Sequence, residues 1–232
     1  MIVLPRLYAI VDAAFFPDAL AMCHASKELA AGGCTVIQYR NKLGNAGLML
    51  EAARELRRLF PQSQNPRPVS AKDAETRVGH PIPDPSPNEN SVRLIMNDRP
   101  DLCLAAEFDG VHVGQDDLSP ESVRAIIGPE RWLGVSTHNP EQLSEADLTS
   151  ADYLAIGPVF VTSSKERPDP VVGLEGVRRA RVLTRKPLVA IGGITRANAA
   201  SVFEAGADSV AVISDLLRNP RKSAEEFFRS LG

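Results

Sequence analysis

Charged and amide side chains cluster directly after an apolar run, in the segment Gln38-Tyr39-Arg40-Asn41-Lys42. Alternation in an extended segment puts Gln38, Arg40 and Lys42 on the same side of the chain. The planar guanidinium of Arg40 and the point charge of Lys42 together suit the oxygen atoms of a diphosphate. Ordinary solvated loops show the same pattern, so it predicts an anion site only together with other signals.

Carboxylates follow the next two apolar runs. Asp98 comes directly after Asn97, and Asp116 and Asp117 come shortly after the next run. Adjacent parallel strands lie about 4.8 Å apart, so Asp98 can converge with one of the other two aspartates. Converging carboxylates repel each other unless a cation lies between them, and Mg²⁺, which keeps waters and bridges to phosphate oxygens, fits best. The alternative is that Asp98 and Asp117 cap the helices that follow.

Ser136 and His138 follow a further apolar run, at the position where side chains of neighbouring strands would meet the carboxylates. Ser136 could donate or accept a hydrogen bond there, and His138 is either a base or an ordinary loop residue. The sequence around Ser136 has neither the GxSxG elbow nor the residue order of a catalytic triad. A nucleophilic serine is therefore not predicted.

Three later segments suit a phosphate group. Thr162-Ser163-Ser164-Lys165 supplies hydroxyls, backbone N–H groups and a cation, in a loop whose length suits a lid. Gly192-Gly193 permits close approach of the backbone to a ligand, and Ile213-Ser214 precedes a short helix. Loops after the last two strands of an α/β barrel often form its phosphate site. The residues thus predict Mg²⁺-assisted chemistry on phosphorylated small molecules.

Short β-branched runs alternate with longer helical patterns along the chain. The predicted strands are Leu7–Val11, Val36–Tyr39, Arg93–Met96, Gly110–Val113, Trp132–Val135, Tyr153–Ile156, Leu188–Ile191 and Ser209–Val212. The predicted helices are Ala19–Ala31, Gly47–Leu59, Pro100–Glu107, Pro120–Ile127, Pro140–Leu148, Leu174–Leu183, Ala197–Ala205 and Ala224–Leu231. Ser119, Asn139 and Thr195 precede three of these helices as capping residues. Eight such units favour a single (β/α)8 TIM barrel with eight parallel strands over an open doubly wound sheet.

One segment interrupts this alternation. Residues 61–92 contain seven prolines and no sustained apolar period, a composition typical of flexible chain. Clean helix and strand patterns flank it, so we expect a Pro-rich surface insertion on the face opposite the active site. Residues 1–232 are thus predicted to form one TIM-barrel domain.

The composition narrows the expected partners. The net charge is −3 without a basic stripe, so nucleic acid is not an expected partner. No apolar run approaches the roughly 18 residues of a membrane span, and the apolar N-terminus lacks the features of a signal peptide. Three scattered cysteines predict reduced, buried thiols. We therefore expect a cytoplasmic protein that acts on small molecules, and the sequence leaves open whether it forms a homo-oligomer.

In chain order, these segments closely resemble the thiamine-phosphate synthase family. The resemblance spans nearly the whole chain, and 61–92 departs from it by being longer than the family usually has there. The matching segments are Gln38-Tyr39-Arg40-Asn41-Lys42, Asn97-Asp98-Arg99, residues 110–118, residues 134–138, Gly157-Pro158-Val159-Phe160 with Thr162 and Lys165, Gly192-Gly193-Ile194, and Ile213-Ser214.

The resemblance implies a role for each segment. An aminopyrimidine diphosphate would be held by Gln38, Tyr39, Arg40, Asn41, Lys42, Asn97, Ser136 and Lys165. A thiazole phosphate would be held by Thr162, Ser163, Ser164, Gly193, Ile213 and Ser214. Asp98 and Asp117 would ligate Mg²⁺, whereas Asp116 matches an acidic position of the family that is not a ligand.

The implied reaction is a transfer that forms a C–N bond and yields thiamine phosphate and pyrophosphate. It is dissociative: Mg²⁺ and cationic side chains stabilise the departing pyrophosphate, and the thiazole nitrogen attacks the resulting pyrimidine cation. The catalytic residues would be Arg40, Lys42, Ser136 and Lys165.

Three alternatives remain. A thiazole tautomerase-like relative would use a histidine such as His138 and would not need both Asp98 and Asp117. A regulatory phosphate-binding barrel would have no catalysis. A lyase or isomerase of amino-acid biosynthesis would need a catalytic Glu/Lys arrangement on the early strands, which the sequence does not show.

Overall fold

The computed structural model describes residues 2–62, 92–162 and 169–231 of the chain. Within them, eight parallel strands close into a barrel in chain order, with β8 pairing back onto β1. The strands are β1 Leu7–Asp12, β2 Val36–Arg40, β3 Arg93–Asn97, β4 Gly110–Val113, β5 Trp132–Thr137, β6 Tyr153–Ile156, β7 Leu188–Ile191 and β8 Ser209–Val212. The predicted (β/α)8 TIM barrel is confirmed.

Helices follow the strands and form the outer layer. A 3₁₀ turn covers Ala13–Phe15. The α-helices among the described residues are α1 Ala19–Ala31, α2 Ala46–Leu59, α3 Pro100–Ala105, α4 Pro120–Ile127, α5 Pro140–Asp147, α6 Gly173–Leu183, α7 Ala199–Glu204, α8 Ser214–Leu217 and α9 Pro220–Leu231. None of them combines the length and apolar character that a membrane crossing requires.

The strands bury side chains on both faces, which divides the core into two clusters. Leu7 and Val11 of β1 belong to the large cluster between the barrel and the helices. Tyr8 and Ile10 of the same strand belong to a smaller cluster inside the barrel. Alternate residues of a strand point to opposite faces, and all eight strands run parallel. The inward-facing side chains at the carboxyl ends of the strands therefore meet at the same opening of the barrel.

Two predicted helix caps are confirmed and one is wrong. The Ser119 hydroxyl accepts from the backbone N–H of Ser122 at 3.3 Å, and Asn139 Oδ1 accepts from Gln142 N at 2.8 Å. Thr195 does not open α7. Its N–H instead donates to Asn198 Oδ1 at 2.8 Å, which forms a turn and delays the helix by two residues from the predicted start at 197.

Three arginine–aspartate pairs join helices to strands at the end of the barrel where the strands begin. Each aspartate immediately precedes a strand, accepts a backbone N–H from the strand before it, and pairs with an arginine from an even-numbered helix at 2.7 Å. The pairs are Arg57–Asp109, Arg124–Asp152 and Arg181–Asp208, and the N–H donors are Leu94, Leu133 and Leu188. The repeat indicates that this end serves stability.

The two positions that flank residues 63–91 lie at this same end, because they follow α2 and precede β3. Gln62 Nε2 donates to the carbonyl of Glu107 at 2.9 Å, and Val92 is buried. Residues 63–91 lie outside the described residues, so the single domain with an insertion at 61–92 stays a prediction. Cys23, Cys34 and Cys103 are free and buried, as predicted.

Candidate active site

A cavity of about 500 Å³ opens at the carboxyl ends of the strands. All eight strands contribute residues to its lining, and so do the loops that follow most of them. This is the end at which α/β barrels hold their active sites.

Arg40 and Lys42 form the cationic side of the cavity, and each contacts a carboxylate. The Arg40 guanidinium contacts Asp12, the last residue of the neighbouring strand β1. Asp12 is buried and also accepts from the N–H of Ala14 at 3.1 Å, so Arg40 is held against a fixed partner. Lys42 contacts Asp98 while half of its side chain stays exposed, which leaves its ammonium available to an entering anion.

Asp98 and Asp117 meet beside Lys42. Burial raises the pKa of the Asp117 carboxyl above its ordinary value, a hydrogen bond with Asp98 and the charge of Asp98 raise it further, and Lys42 opposes the shift. Asp98 has a φ of 61°, a conformation that Asp and Asn tolerate better than most residues. Of the two aspartates after β4, it is thus Asp117 that meets Asp98, and Asp116 is exposed.

Neither carboxylate of this pair caps a helix. α3 starts after Arg99 without a side-chain cap, and Ser119 caps α4. The capping alternative is therefore wrong. Asp117 accepts from the N–H of Gly114 at 2.8 Å, which holds one oxygen in place at the mouth.

The donor set of the pair fits a hard divalent cation. Across the described ranges, no group of three or more His, Cys, Asp or Glu side chains is arranged to hold a metal. A protein that supplies only two carboxylates and leaves the remaining positions to water and phosphate oxygens matches the coordination that Mg²⁺ takes at phosphate sites. The raised pKa of Asp117 points the same way, because a cation would relieve the repulsion between the two carboxylates.

Polar groups on the cavity floor form a continuous hydrogen-bond chain. Gln38 Nε2 donates to Tyr8 Oη at 3.0 Å, and Tyr8 Oη lies 2.9 Å from Tyr153 Oη. His112 lies 3.2 Å from Tyr153 Oη through Nδ1 and 2.8 Å from Ser136 Oγ through Nε2. Burial lowers the pKa of His112 to about 4, against the opposing charge of Asp117, so its imidazole is neutral at neutral pH.

A glycine makes room for this chain. Gly134 of β5 pairs with His112 on one side and Tyr153 on the other. A Cβ atom at position 134 would lie 2.1 Å from Tyr153 Cζ and 2.4 Å from His112 Nδ1. Any side chain there would separate the two rings, so the floor requires glycine at this position.

His138 stands on the wall beside Ser136. Its Nδ1 lies 2.6 Å from the carbonyl of Gly157 and must donate to it, because a carbonyl oxygen only accepts. Nε2 lies 3.5 Å from Asp169, which also lines the cavity. This arrangement links the loop after β5 to residues that precede α6.

The opposite side of the cavity is built from the loops after β7 and β8. Gly193 has a φ of 64°, and a Cβ there would lie 2.5 Å from the carbonyl of Val161. The close approach that requires glycine is thus to the loop after β6, which brings Thr162 to the same cavity. Arg196 binds Asp215 through both its backbone N–H and Nε at 3.0 Å, which joins the loop after β7 to α8.

The structure brings most of the predicted site residues together. Those that line the cavity are Gln38, Arg40, Lys42, Asn97, Asp98, Asp117, Ser136, Thr162, Gly193, Ile213 and Ser214. Ser163, Ser164 and Lys165 lie outside the described residues.

Tyr39 and Asn41 do not line the cavity. Tyr39 alternates with Gln38 and Arg40, so it faces the helices and is buried in the outer cluster. Asn41 Nδ2 donates to Tyr39 Oη at 3.2 Å, and its Oδ1 accepts from Gly44 N at 2.8 Å. The two residues shape the loop after β2, and their expected side-chain contact with substrate has no support in this geometry.

Sequence reasoning missed four residues of the site: Tyr8, Asp12, His112 and Tyr153. Each lies within or at the end of an apolar strand, where a tyrosine or histidine looks like a core residue. Two of the four gave a signal: His112 interrupts the apolar run Val111–Val113 between two buried valines, and Asp12 directly follows the apolar run of β1.

The fold and the cavity define a class: a (β/α)8-barrel enzyme whose mouth combines cations and a carboxylate pair with a glycine-rich loop opposite. Residues 85–216 match the family model described as thiamine monophosphate synthase. The thiamine-phosphate synthase of Koribacter versatilis is 54% identical over 98% of this chain and 96% of its own length. That of Chloroflexus aurantiacus is 41% identical over 90% of this chain and 83% of its own length. A solved structure of thiamine phosphate pyrophosphorylase from Pyrococcus furiosus superposes with a TM-score of 0.76 at 31% identity, covering 97% of this chain and 95% of that one.

The chain belongs to the thiamine-phosphate synthase family. The predicted family, its transferase class and its place in thiamine biosynthesis are thereby confirmed.

Proposed function

We propose that the chain couples 4-amino-2-methyl-5-(diphosphooxymethyl)pyrimidine to a thiazole phosphate and releases pyrophosphate. The observation that carries the proposal is the meeting, in one cavity, of the Arg40/Lys42 cations with the Asp98/Asp117 pair. This arrangement suits a diphosphate bound together with a divalent cation. The glycine-rich loop on the opposite side leaves a separate position for the monophosphate of the second substrate.

The bond that breaks joins the pyrimidine methylene to the diphosphate oxygen, which leaves with the electron pair. Arg40 and Lys42 stabilise the negative charge that develops on the leaving group, and Arg40 does so from a position held by Asp12. Lys165, which lies outside the described residues, takes the third cationic role on the strength of the family resemblance.

We assign Asp98 and Asp117 as the residues that would hold Mg²⁺. The bound ion supplies neutralisation of the leaving pyrophosphate. Lys42, which contacts Asp98, would donate from beside this pair to the diphosphate oxygens.

The new bond forms between the thiazole nitrogen, which supplies its lone pair, and the pyrimidine methylene carbon. Gln38, Asn97 and Ser136 orient the pyrimidine ring. The loops at Gly193 and Ser214, with Thr162, Ser163, Ser164 and Ile213, hold the thiazole phosphate so that its nitrogen faces the methylene. No proton transfer is needed at the reacting atoms, which agrees with a neutral His112 on the cavity floor.

The test mixes the purified chain with both phosphorylated precursors and Mg²⁺ and assays thiamine phosphate and pyrophosphate together. Equal amounts of the two products are expected. Well-folded protein that forms neither product would overturn the proposal. Conversion of the thiazole phosphate alone would favour a tautomerase-like activity, and binding of both substrates without turnover would favour a regulatory barrel.

We also infer a cytoplasmic location, because the three cysteines are free thiols. Fractionation of expressing cells tests it, and recovery in an oxidising compartment would contradict it. The molar mass from light scattering tests whether the protein forms a homo-oligomer.

A further inference from the structure

The hydrogen-bond chain on the cavity floor has two ends and three middle groups. Gln38 of β2 and Ser136 of β5 form the ends and line the cavity. Tyr8, Tyr153 and His112, from β1, β6 and β4, form the middle. Tyr8 and Tyr153 also line the cavity but are only 1% and 0% exposed, so a missing partner there leaves a buried polar group.

The number of protons fixes how this chain can be arranged. Its four hydrogen bonds need four protons, and the three middle groups supply one each when the imidazole is neutral. The fourth proton must come from one end, either the Gln38 amide or the Ser136 hydroxyl. Each middle group gives one bond and accepts one, so the whole chain points in one direction or in the other.

We propose that Tyr8, Tyr153 and His112 are positioning residues that couple the hydrogen-bonding state of Gln38 to that of Ser136. While Gln38 donates to Tyr8, Ser136 accepts from His112 and keeps its own proton for a ligand. When the chain is reversed, Ser136 gives its proton to His112 and offers the ligand only a lone pair.

The ligand that fits the first direction is an aminopyrimidine, and this identification rests on the proposed function. Its exocyclic amino group donates and its ring nitrogens accept. Gln38 Oε1 would then accept from the amino group while the Ser136 hydroxyl donates to a ring nitrogen. One direction of the chain thus serves both features of the pyrimidine, and the three middle residues become determinants of specificity for this substrate.

Steady-state kinetics with each substrate varied in turn test the coupling. Tyr153→Phe keeps the ring but cuts the chain in its middle. We expect it to raise the KM for the pyrimidine diphosphate about tenfold, the cost of one lost partner on a buried polar group. The KM for the thiazole phosphate should stay unchanged. Equal changes in both KM values, or no change in either, would overturn the proposal.

A double variant separates a chain from a set of independent contacts. Tyr8→Phe alone should have the same effect as Tyr153→Phe, and it serves in its place if that variant fails to fold. In Tyr8→Phe/Tyr153→Phe the chain is already cut, so the KM should rise no further than about twofold beyond the larger single effect. Effects that multiply to about 100-fold would mean that the two hydroxyls act independently, against the proposal.

Ser26→Ala is the matched control. It also removes a buried hydroxyl, one that donates to the carbonyl of Met22 within α1 at 2.9 Å, away from the cavity. Both KM values should be unchanged. Calorimetric titration of the unaltered protein with the pyrimidine diphosphate is run alongside. Absence of both binding and turnover refutes the proposed function. An active protein in which the effects of Tyr8→Phe and Tyr153→Phe multiply refutes only the coupling through the hydrogen-bond chain.

Discussion

Asp117 faces two opposing requirements at the cavity mouth. Burial and the neighbouring Asp98 raise the pKa of its carboxyl, whereas a metal ligand must be ionised. A cation between the two carboxylates removes this conflict. The residue therefore favours cation binding and, without the cation, opposes the folded state.

Asparagine substitutions distinguish Asp117 from the aspartate before it. Asp117→Asn should lower kcat/KM by about 100-fold, because a neutral amide neutralises a hard cation less well. Asp116 also lines the cavity, but its side chain is exposed and Asp117 is the aspartate that meets Asp98, so the same change at Asp116 should cost less than about threefold. Assays across a range of Mg²⁺ concentrations check both variants. Similar losses at the two positions would contradict the assignment of Asp117.

The raised pKa of Asp117 also predicts how stability depends on pH. The contribution of its protonated form is present below the unfolded value of 3.8 and is lost as the pH rises through the raised, folded value. At neutral pH the ionised pair thus destabilises the metal-free protein. We expect Asp117→Asn to raise the melting temperature by about 2 to 4 °C in the presence of a chelator. A lower melting temperature at pH 7 would show that repulsion is absent.

At the scale of the elements, polar residues lengthen four strands beyond their apolar runs. The predicted strands stop at Val11, Tyr39, Met96 and Val135, and the observed ones continue to Asp12, Arg40, Asn97 and Thr137. The backbone ladder does not depend on side-chain polarity, so it carries these residues to the mouth. Prediction from apolar patterns therefore ends these four strands too early, at the residues that form the site.

The loop after β7 contains Gly193, whose substitution can be compared with that of a second glycine of the same φ. Gly193 and Gly173 have the same φ of 64°, but a Cβ at position 173 meets nothing within 4 Å. Alanine at either position costs about 1 to 2 kcal/mol of backbone strain. Only Gly193→Ala should also raise the KM for the thiazole phosphate, by about tenfold, because its Cβ displaces the loop after β6. Steady-state kinetics compare the two, and equal KM values would contradict the role of this loop.

The arginine–aspartate repeat predicts a loss of stability without a loss of activity. Arg124 donates to Asp152 at 2.7 Å and to the carbonyls of Gly128, Arg131 and Ser150. Arg124→Ala should cost about 2 to 3 kcal/mol of unfolding free energy and leave both KM values unchanged.

The control for this change is Arg178→Ala, which breaks an exposed pair with Glu175 and should cost less than about 0.5 kcal/mol. Urea denaturation measures both variants. A small effect at Arg124 would mean that water replaces its partners.

For the whole molecule, the ends of the insertion predict that it is dispensable for catalysis. Gln62 and Val92 lie at the end of the barrel opposite the cavity. Replacing residues 63–91 with a short Gly/Ser linker should leave kcat/KM within about twofold, because the flanking residues lie away from the cavity. It should also change stability little, because loop length changes closure entropy only slightly. Kinetics and thermal denaturation of the shortened chain test this. A large loss of activity in a folded variant would assign the insertion a role in the site.

The sequence predicted the order of the eight units well, because Val, Ile and Leu runs between capped helices admit few other architectures. Every predicted strand begins at the observed residue. The C-terminal helix was predicted from Ala224 and begins at Pro220, since Arg221, Lys222 and Ser223 give its first turn no apolar signal. Gln38, Arg40 and Lys42 were placed on one side correctly from alternation alone.

The sequence by itself determined which polar groups follow the strands, and hence that phosphates and a hard cation suit this protein. Only the tertiary structure decided which of those groups meet. In parallel strands buried on both faces, alternation does not label the inner face, so Tyr8 and Tyr39 look equally like core residues. Closure of the barrel sends Tyr8 inward to Tyr153, 145 residues away in the chain, and Tyr39 outward to the helices. The same closure selects Asp117 over Asp116, because only one of two consecutive residues can face Asp98.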